Sequence, residues 1–177
     1  MISIQISDVK VFMNKLFLTE YFDAFLLSEA NFVTFNTFHI DGTLQHAYYS
    51  SEEQEEYGMS QMKYSRWKQV RPFALSLIKG THTPLEFKIV FRLSQSNVKK
   101  LLNQNGITSF SEADVNGLFL NLHFSGGAMH CISGTSLSLF SMDKAVEHAW
   151  DDAVQKYLNP FRYKFIVIFL ALTTDEC

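Results

Sequence analysis

The stretch Leu85-Glu86-Phe87-Lys88-Ile89-Val90-Phe91-Arg92-Leu93 decides the fold. Leu85, Phe87, Ile89, Phe91 and Leu93 alternate with Glu86, Lys88, Val90 and Arg92, so a strand here has one apolar face and one mostly charged face. Such a strand belongs to a sheet that is covered on one side. Downstream, Ser94 or Ser96 can cap a helix carrying Val98, Leu101 and Leu102, closed by Asn105-Gly106. Leu118, Leu120, Leu122 and Phe124 alternate again, Ser125-Gly126-Gly127 turns the chain, and Ala128 to Ser133 returns. Ser141 then caps a last long helix bearing Val146, Ala149, Trp150, Ala153, Val154 and Tyr157.

Upstream, Phe73, Leu75 and Leu77 form a shorter alternating run, and Lys79-Gly80-Thr81-His82-Thr83-Pro84 reads as a hairpin loop joining it to the 85–93 strand. Tyr64, Trp67 and Val70 are spaced for a short helix that must stop near Pro72. Residues 45–63 are polar and carry the acidic run Glu52, Glu53, Glu55, Glu56, a solvated loop or helix start. At the beginning, Ile2, Ile4 and Ile6 alternate as in a strand. Ser7 or Asp8 can cap a helix with Val9, Phe12, Met13, Leu16 and Phe17 on one face, and two strands follow over 25–34 and 38–44.

The chain has 177 residues, 47% apolar and 19% charged, with 17 Phe and 3 Pro; that composition buries a core and excludes intrinsic disorder. One domain over residues 1–177 is expected. Cys131 and Cys177 make no disulfide framework, which fits a reducing cytoplasmic setting. The opening MISIQISD lacks the basic and apolar regions of a signal peptide. The longest apolar run, Phe165 to Leu172, falls short of the roughly 20 residues that span a bilayer, and reads as a C-terminal strand over 164–172 with no membrane partner.

The chain also resembles itself. At a shift of about 90, Ser7-Asp8-Val9-Lys10 falls on Ser96-Asn97-Val98-Lys99, and slightly further on Ile40-Asp41-Gly42-Thr43 falls on Ile132-Ser133-Gly134-Thr135. The expected fold is therefore α+β: one domain of two βαββ repeats, about 2–79 and 85–160, forming a largely antiparallel sheet with helices on one face.

Ser96 to Leu102, Val115-Asn116-Gly117-Leu118-Phe119-Leu120-Asn121-Leu122 and Ile132-Ser133-Gly134-Thr135-Ser136-Leu137 resemble one repeat of a DNA sliding clamp over about 45 residues, with Ser133 where a clamp's final turn has Asp. The resemblance implies a clamp-like module, and a single such domain must oligomerise to encircle DNA. Over its whole length the chain also resembles an uncharacterised family of small proteins from Gram-positive anaerobes. The Phe-rich first helix, Ser65-Arg66-Trp67 to Lys79-Gly80, and Val115 to Leu120 carry that resemblance, which implies no mechanism.

Charge supplies the functional expectation. The net formal charge is −3, yet residues 61–100 hold nine bases against the single acid Glu86, a net of +8, while the remainder carries −11. Arg66, Trp67, Lys68, Arg71, Lys79, Lys88 and Arg92 are the candidate anion- or nucleic-acid-binding residues, with Trp67 beside Arg66 as a stacking platform. An ordinary solvated face balanced by acids elsewhere competes with that reading. Of the six histidines, none has close metal-ligand spacing. A two-residue turn at Gly126-Gly127 sets His123 against His130; a three-residue turn sets His130 against Leu122 instead. His130 and Cys131 point to opposite faces of a strand, so they make no nucleophile and base pair. No metal, cofactor or catalytic signature emerges. The leading expectation is a non-enzymatic binding or assembly module whose partner is nucleic acid or protein. One rival is a small-molecule enzyme with His82, Lys79 and Asp41 between the repeats; another is a structural subunit that pairs through aromatic side chains.

Overall fold

The computed structural model describes residues 1–59 and 62–161; the apolar strand expected over 164–172 lies outside them. Within the described residues, six strands form one sheet in the order β1-β6-β5-β4-β2-β3, with every pairing antiparallel. They are β1 (Ser3–Gln5), β2 (Leu26–Val33), β3 (Thr37–Asp41), β4 (Glu86–Arg92), β5 (Val115–Ser125) and β6 (Ala128–Leu137). The helices are α1 (Val9–Leu18), α2 (Ser51–Glu56), α3 (Trp67–Ile78), α4 (Gln95–Gln104) and α5 (Ala145–Leu158). The fold is α+β.

Strand alternation decides which face is covered. Phe87, Ile89 and Phe91 of β4, Leu118, Leu120, Leu122 and Phe124 of β5, and Met129 and Cys131 of β6 are all buried in one cluster. Phe12, Leu16 and Phe17 of α1, Trp67 of α3, Val98 and Leu102 of α4, and Trp150 and Val154 of α5 bury their apolar stripes in the same cluster. Edge-to-face ring contacts bind the layers: Phe17 lies 5.7 Å from Phe87, and Trp67 lies 5.1 Å from Phe91. The opposite face carries a polar row in register across all six strands, Gln5, His130, His123, Lys88, Asn31 and His39.

Caps and turns account for the element ends. Asp8 accepts from the Val11 N–H at 3.0 Å to start α1, and Ser94 caps α4. Gly106 (φ 63°) follows α4 in the left-handed conformation that suits glycine. Gly126 and Gly127 (φ 56° and 80°) form the two-residue turn that sets His123 opposite His130. The last helix begins at Ala145, later than Ser141 suggests, because Asp143 accepts from the Ala145 N–H at 2.8 Å.

One segment departs from expectation. Phe73, Leu75 and Leu77 belong to α3 and not to a strand, and Lys79 to Pro84 connect that helix to β4 rather than closing a hairpin. The helix continues through Pro72. The missing proline N–H forfeits one hydrogen bond, and burial of Trp67 and Ala74 on either side outweighs it. The acidic run forms α2, capped by Ser50, with its glutamates toward solvent.

The order strand, helix, strand, strand occurs twice, in β1-α1-β2-β3 and β4-α4-β5-β6. Adjacency differs between the two: β4 lies beside β5, whereas β6, β5 and β4 separate β1 from β2. No helix among the described residues is long and apolar enough to cross a membrane.

Candidate functional site

At the start of β2 the sheet changes partners. Leu26 pairs with Arg92 of β4 on one side and bridges Arg66 on the other. Cross-strand neighbours share a face, so the two arginines flank Leu26 with Cα atoms about 10 Å apart. Arg66 reaches this place because Ser65 N–H donates to Gly42 O at 2.8 Å and Leu27 N–H donates to Ser65 O at 2.8 Å. Tyr64, bridged to Thr43, lies under the Arg92 guanidinium at 4.1 Å, and the Lys63 ammonium sits 5.6 Å from the same ring. Arg92 Nη2 also donates to Asn116 O at 2.8 Å, which fixes the guanidinium.

These groups open on a cleft of about 610 Å³ shared with Ser94, Gln95, Ser96 and Asn97, the cap and first turn of α4. That turn carries the positive end of the helix dipole, with its Asn97 N–H already taken up by Ser94. Among the described residues, no carboxylate lies within ion-pair distance of Lys63, Arg66 or Arg92. Asp23 borders the cleft, but it is neutralised by Arg71 Nη2 at 2.9 Å. The arrangement can hold an anion and orient it by paired donors.

A family model, described as a family of unknown function (DUF5721), matches residues 15–165, well over half of the sequence. The chain belongs to DUF5721. That match spans every residue of the cleft. No curated protein and no solved structure matches the chain.

Of the seven basic-face candidates, this DUF5721 chain brings only Arg66 and Arg92 into the cleft. Trp67 cannot be a stacking platform. It is 0% exposed, and its Nε1–H donates to Leu16 O at 2.9 Å, because the first turn of α3 faces the core. Arg71 is committed to Asp23 and nearly buried. Lys68 is exposed and lines an adjoining hollow with Tyr49, Tyr57 and Arg66. Lys88 lies on the open sheet face, paired with Glu29 at 3.4 Å. Lys79 lies in a separate groove of about 700 Å³ with His82, between the end of α3 and the β2–β3 turn. Asp41 sits at the far end of β3, its carboxylate held low in pKa by the Thr43 N–H at 2.9 Å, so it does not join Lys79 and His82.

Sequence reasoning missed Lys63, Tyr64 and the α4 turn as parts of the site. Lys63 was hidden at the edge of the polar 45–63 segment, and the Thr43–Tyr64 bridge together with the Leu44 N–H bond to Lys63 O at 2.9 Å carries it to the arginines. Among the described residues of this DUF5721 chain, the remaining groups form no catalytic constellation. His123 Nε2 lies 2.9 Å from Glu86 Oε1 on the open face. Cys131 points the other way, and burial pushes its thiol up to about 12. Among the described residues, no group of three or more His, Cys, Asp or Glu side chains could hold a metal ion.

Proposed function

We propose that the protein is a non-enzymatic binding module, working in the reducing cytoplasm, whose cleft between Arg66 and Arg92 holds an anionic group. The observation that carries this reading is the convergence of Lys63, Arg66 and Arg92, none with a carboxylate partner among the described residues, on the first turn of α4. Elsewhere the chain neutralises several of its bases: Arg71 has Asp23, Lys88 has Glu29, Lys99 has Glu112 and Lys144 has Glu147. Leaving three cations together unneutralised costs self-repulsion, which an anionic ligand relieves.

A compact anion suits the site better than a nucleic-acid strand. An extended polyphosphate leaving the cleft past Arg66 and Lys68 would approach the exposed Glu52, Glu53, Glu55 and Glu56 of α2, next to Tyr49 and Tyr57. Titration calorimetry with inorganic pyrophosphate, beside labelled single-stranded DNA and RNA across a salt series, tests the proposal. Pyrophosphate should bind with a shallow salt slope, and Arg66→Glu with Arg92→Gln should abolish it without loss of fold. Binding indifferent to both substitutions would sink the proposal. A steep salt slope that grows with DNA or RNA length would replace the compact anion by a polynucleotide.

A further inference from the structure

The basic cleft does not end at α4. Ala24, Leu93 and Asn97 also line a second hollow, of about 340 Å³, that runs between α4 and α5. Its apolar walls are Phe25, Leu101, Leu120, Trp150, Ala153 and Tyr157, with the exposed Lys100 and Gln104 of α4 beside them. These walls are fixed from behind. Trp150 Nε1–H donates to Phe119 O at 2.9 Å, while the Tyr157 hydroxyl donates to Tyr21 O and the Tyr21 hydroxyl donates to Tyr157 O at 2.7 Å. A firm, mostly apolar hollow of this size, with a few polar groups along one wall, is the form of a small-molecule site.

Building on the anion-binding reading, we infer that the ligand is an anionic amphiphile. Its head lies at Lys63, Arg66, Arg92 and the first turn of α4, and its apolar body runs along α4 to Trp150. Charge sets the orientation, because Lys63, Arg66 and Arg92 gather in the cleft, whereas the adjoining hollow carries the aromatic wall with Lys100 as its single lining base. A bare inorganic anion would leave the apolar walls wet. An uncharged apolar molecule would leave the cations unpaired.

Decyl phosphate, kept below its micelle concentration, is the probe, with inorganic phosphate and decanol as its two halves and the full chain as the binder. Decyl phosphate should bind at least about tenfold more tightly than either half, since the chain buries apolar surface and the head meets the cations. Arg66→Glu should weaken it at least about tenfold. Ala153→Trp, which fills the hollow, should weaken decyl phosphate and leave inorganic phosphate unchanged. The alkyl chain should also shift tryptophan emission, and Trp150→Phe should remove that shift, a readout that survives if the Ala153 variant fails to fold.

Equal affinity for decyl phosphate and inorganic phosphate, both sensitive to Arg66→Glu, would overturn the amphiphile while the anion-binding reading stands. Decanol binding as well as decyl phosphate, with no response to Arg66→Glu, would overturn both. Sedimentation with phosphatidylglycerol vesicles without binding of monomeric decyl phosphate would overturn the pocket in favour of a lipid surface. Binding only after removal of residues 165–172 would overturn it in favour of the chain's own apolar run.

Discussion

Trp67 Nε1–H donates to the main-chain oxygen of Leu16 at 2.9 Å, tying the first turn of α3 to the last turns of α1 inside the core. Its ring also meets Phe17 at 6.0 Å and Phe91 at 5.1 Å. Two neighbours in sequence therefore have opposite roles, Trp67 holding the fold and Arg66 facing the cleft. Trp67→Ala should destabilise by about 3–5 kcal/mol through the cavity it leaves. Trp67→Phe should cost about 1–3 kcal/mol, because the Leu16 oxygen loses its donor. Arg66→Ala should stay within about 0.5 kcal/mol. Urea unfolding of the three variants checks the order, and a stable Trp67→Ala protein would contradict it.

The Arg71–Asp23 pair is nearly out of water, with side-chain exposures of 17% and 11%. Among the described residues, Asp23 Oδ1 and Arg71 Nε have no hydrogen-bond partner, so the protein's described groups satisfy the pair incompletely. Arg71→Met alone should cost up to about 3 kcal/mol, the lower edge for a buried pair, because it strands the Asp23 carboxylate. Arg71→Met combined with Asp23→Leu should recover most of that loss. A double-mutant cycle in denaturant measures the coupling. If the single and double variants lose equally, the ion pair has no such role.

Helix α5 is fastened to the sheet edge by charge. The Met1 ammonium donates to Glu147 Oε1 at 2.8 Å and to Asp151 Oδ2 at 2.7 Å, and Ser133 Oγ donates to Asp151 Oδ1. The ammonium, with Lys144 second, pulls the Glu147 carboxyl down to about 2. A lowered carboxyl stabilises the fold fully above its ordinary value of 4.5 and loses that contribution as the pH falls toward about 2. The Met1 ammonium is raised above 8.0, chiefly by its Asp151 and Glu147 bonds. Its contribution is full below 8.0 and fades as the pH climbs through the raised value. The melting temperature of Glu147→Gln should consequently fall less than that of the unmodified chain between pH 4.5 and about 2, and the two curves should converge at the acid end. Parallel curves over that interval would remove Glu147 from the acid response.

Periodicity revealed the elements that bury one side of a regular repeat. The alternation in 85–93 and 118–124 and the stripes of α1, α4 and α5 all map onto the buried cluster. Residues 67–78 failed because two periods coexist there. Phe73, Leu75 and Leu77 alternate, yet Phe73 is 71% exposed, and the stripe that packs is Trp67, Val70, Ala74 and Leu77 at helical spacing. Pro72 hid that stripe. The cleft was less legible for a different reason. Charge count singles out 61–100, but direction depends on register, and only the Leu26 pairings select Arg66 and Arg92 from among nine bases.

Gly42 is the hinge between fold and cleft. A Cβ there would lie 2.0 Å from Leu27 O and 2.9 Å from Ser28 O, inside the contact distance of main-chain atoms that cannot swing away. The same residue accepts from Ser65 N–H at 2.8 Å and so positions Arg66. Gly42→Ala should destabilise by about 1–3 kcal/mol, as overpacked sites do, and weaken pyrophosphate binding in the surviving folded protein. Gly80→Ala, where an added Cβ meets nothing within 4 Å, is the control and should change neither. Unaltered binding in a folded Gly42→Ala protein would separate the glycine from the cleft.

Cys131 offers a probe of how the sheet opens. It is fully buried on the covered face of β6, opposite Leu122 of β5 and Ile4 of β1, and burial raises its thiol to about 12. The thiolate is the reactive form, so at pH 8 the native thiol is shielded both by access and by protonation. In a Cys177→Ser variant, modification by iodoacetamide should proceed only through opening of the sheet, and its rate should rise with low urea in step with the opening equilibrium. β1 is three residues long and, among the described residues, pairs only with β6, so Ile4→Ala should speed labelling more than an equally destabilising Trp67→Phe. Equal acceleration by both would mean that Cys131 becomes accessible only in global unfolding. Labelling at the rate of a free thiol in the unmodified sheet would contradict the burial itself.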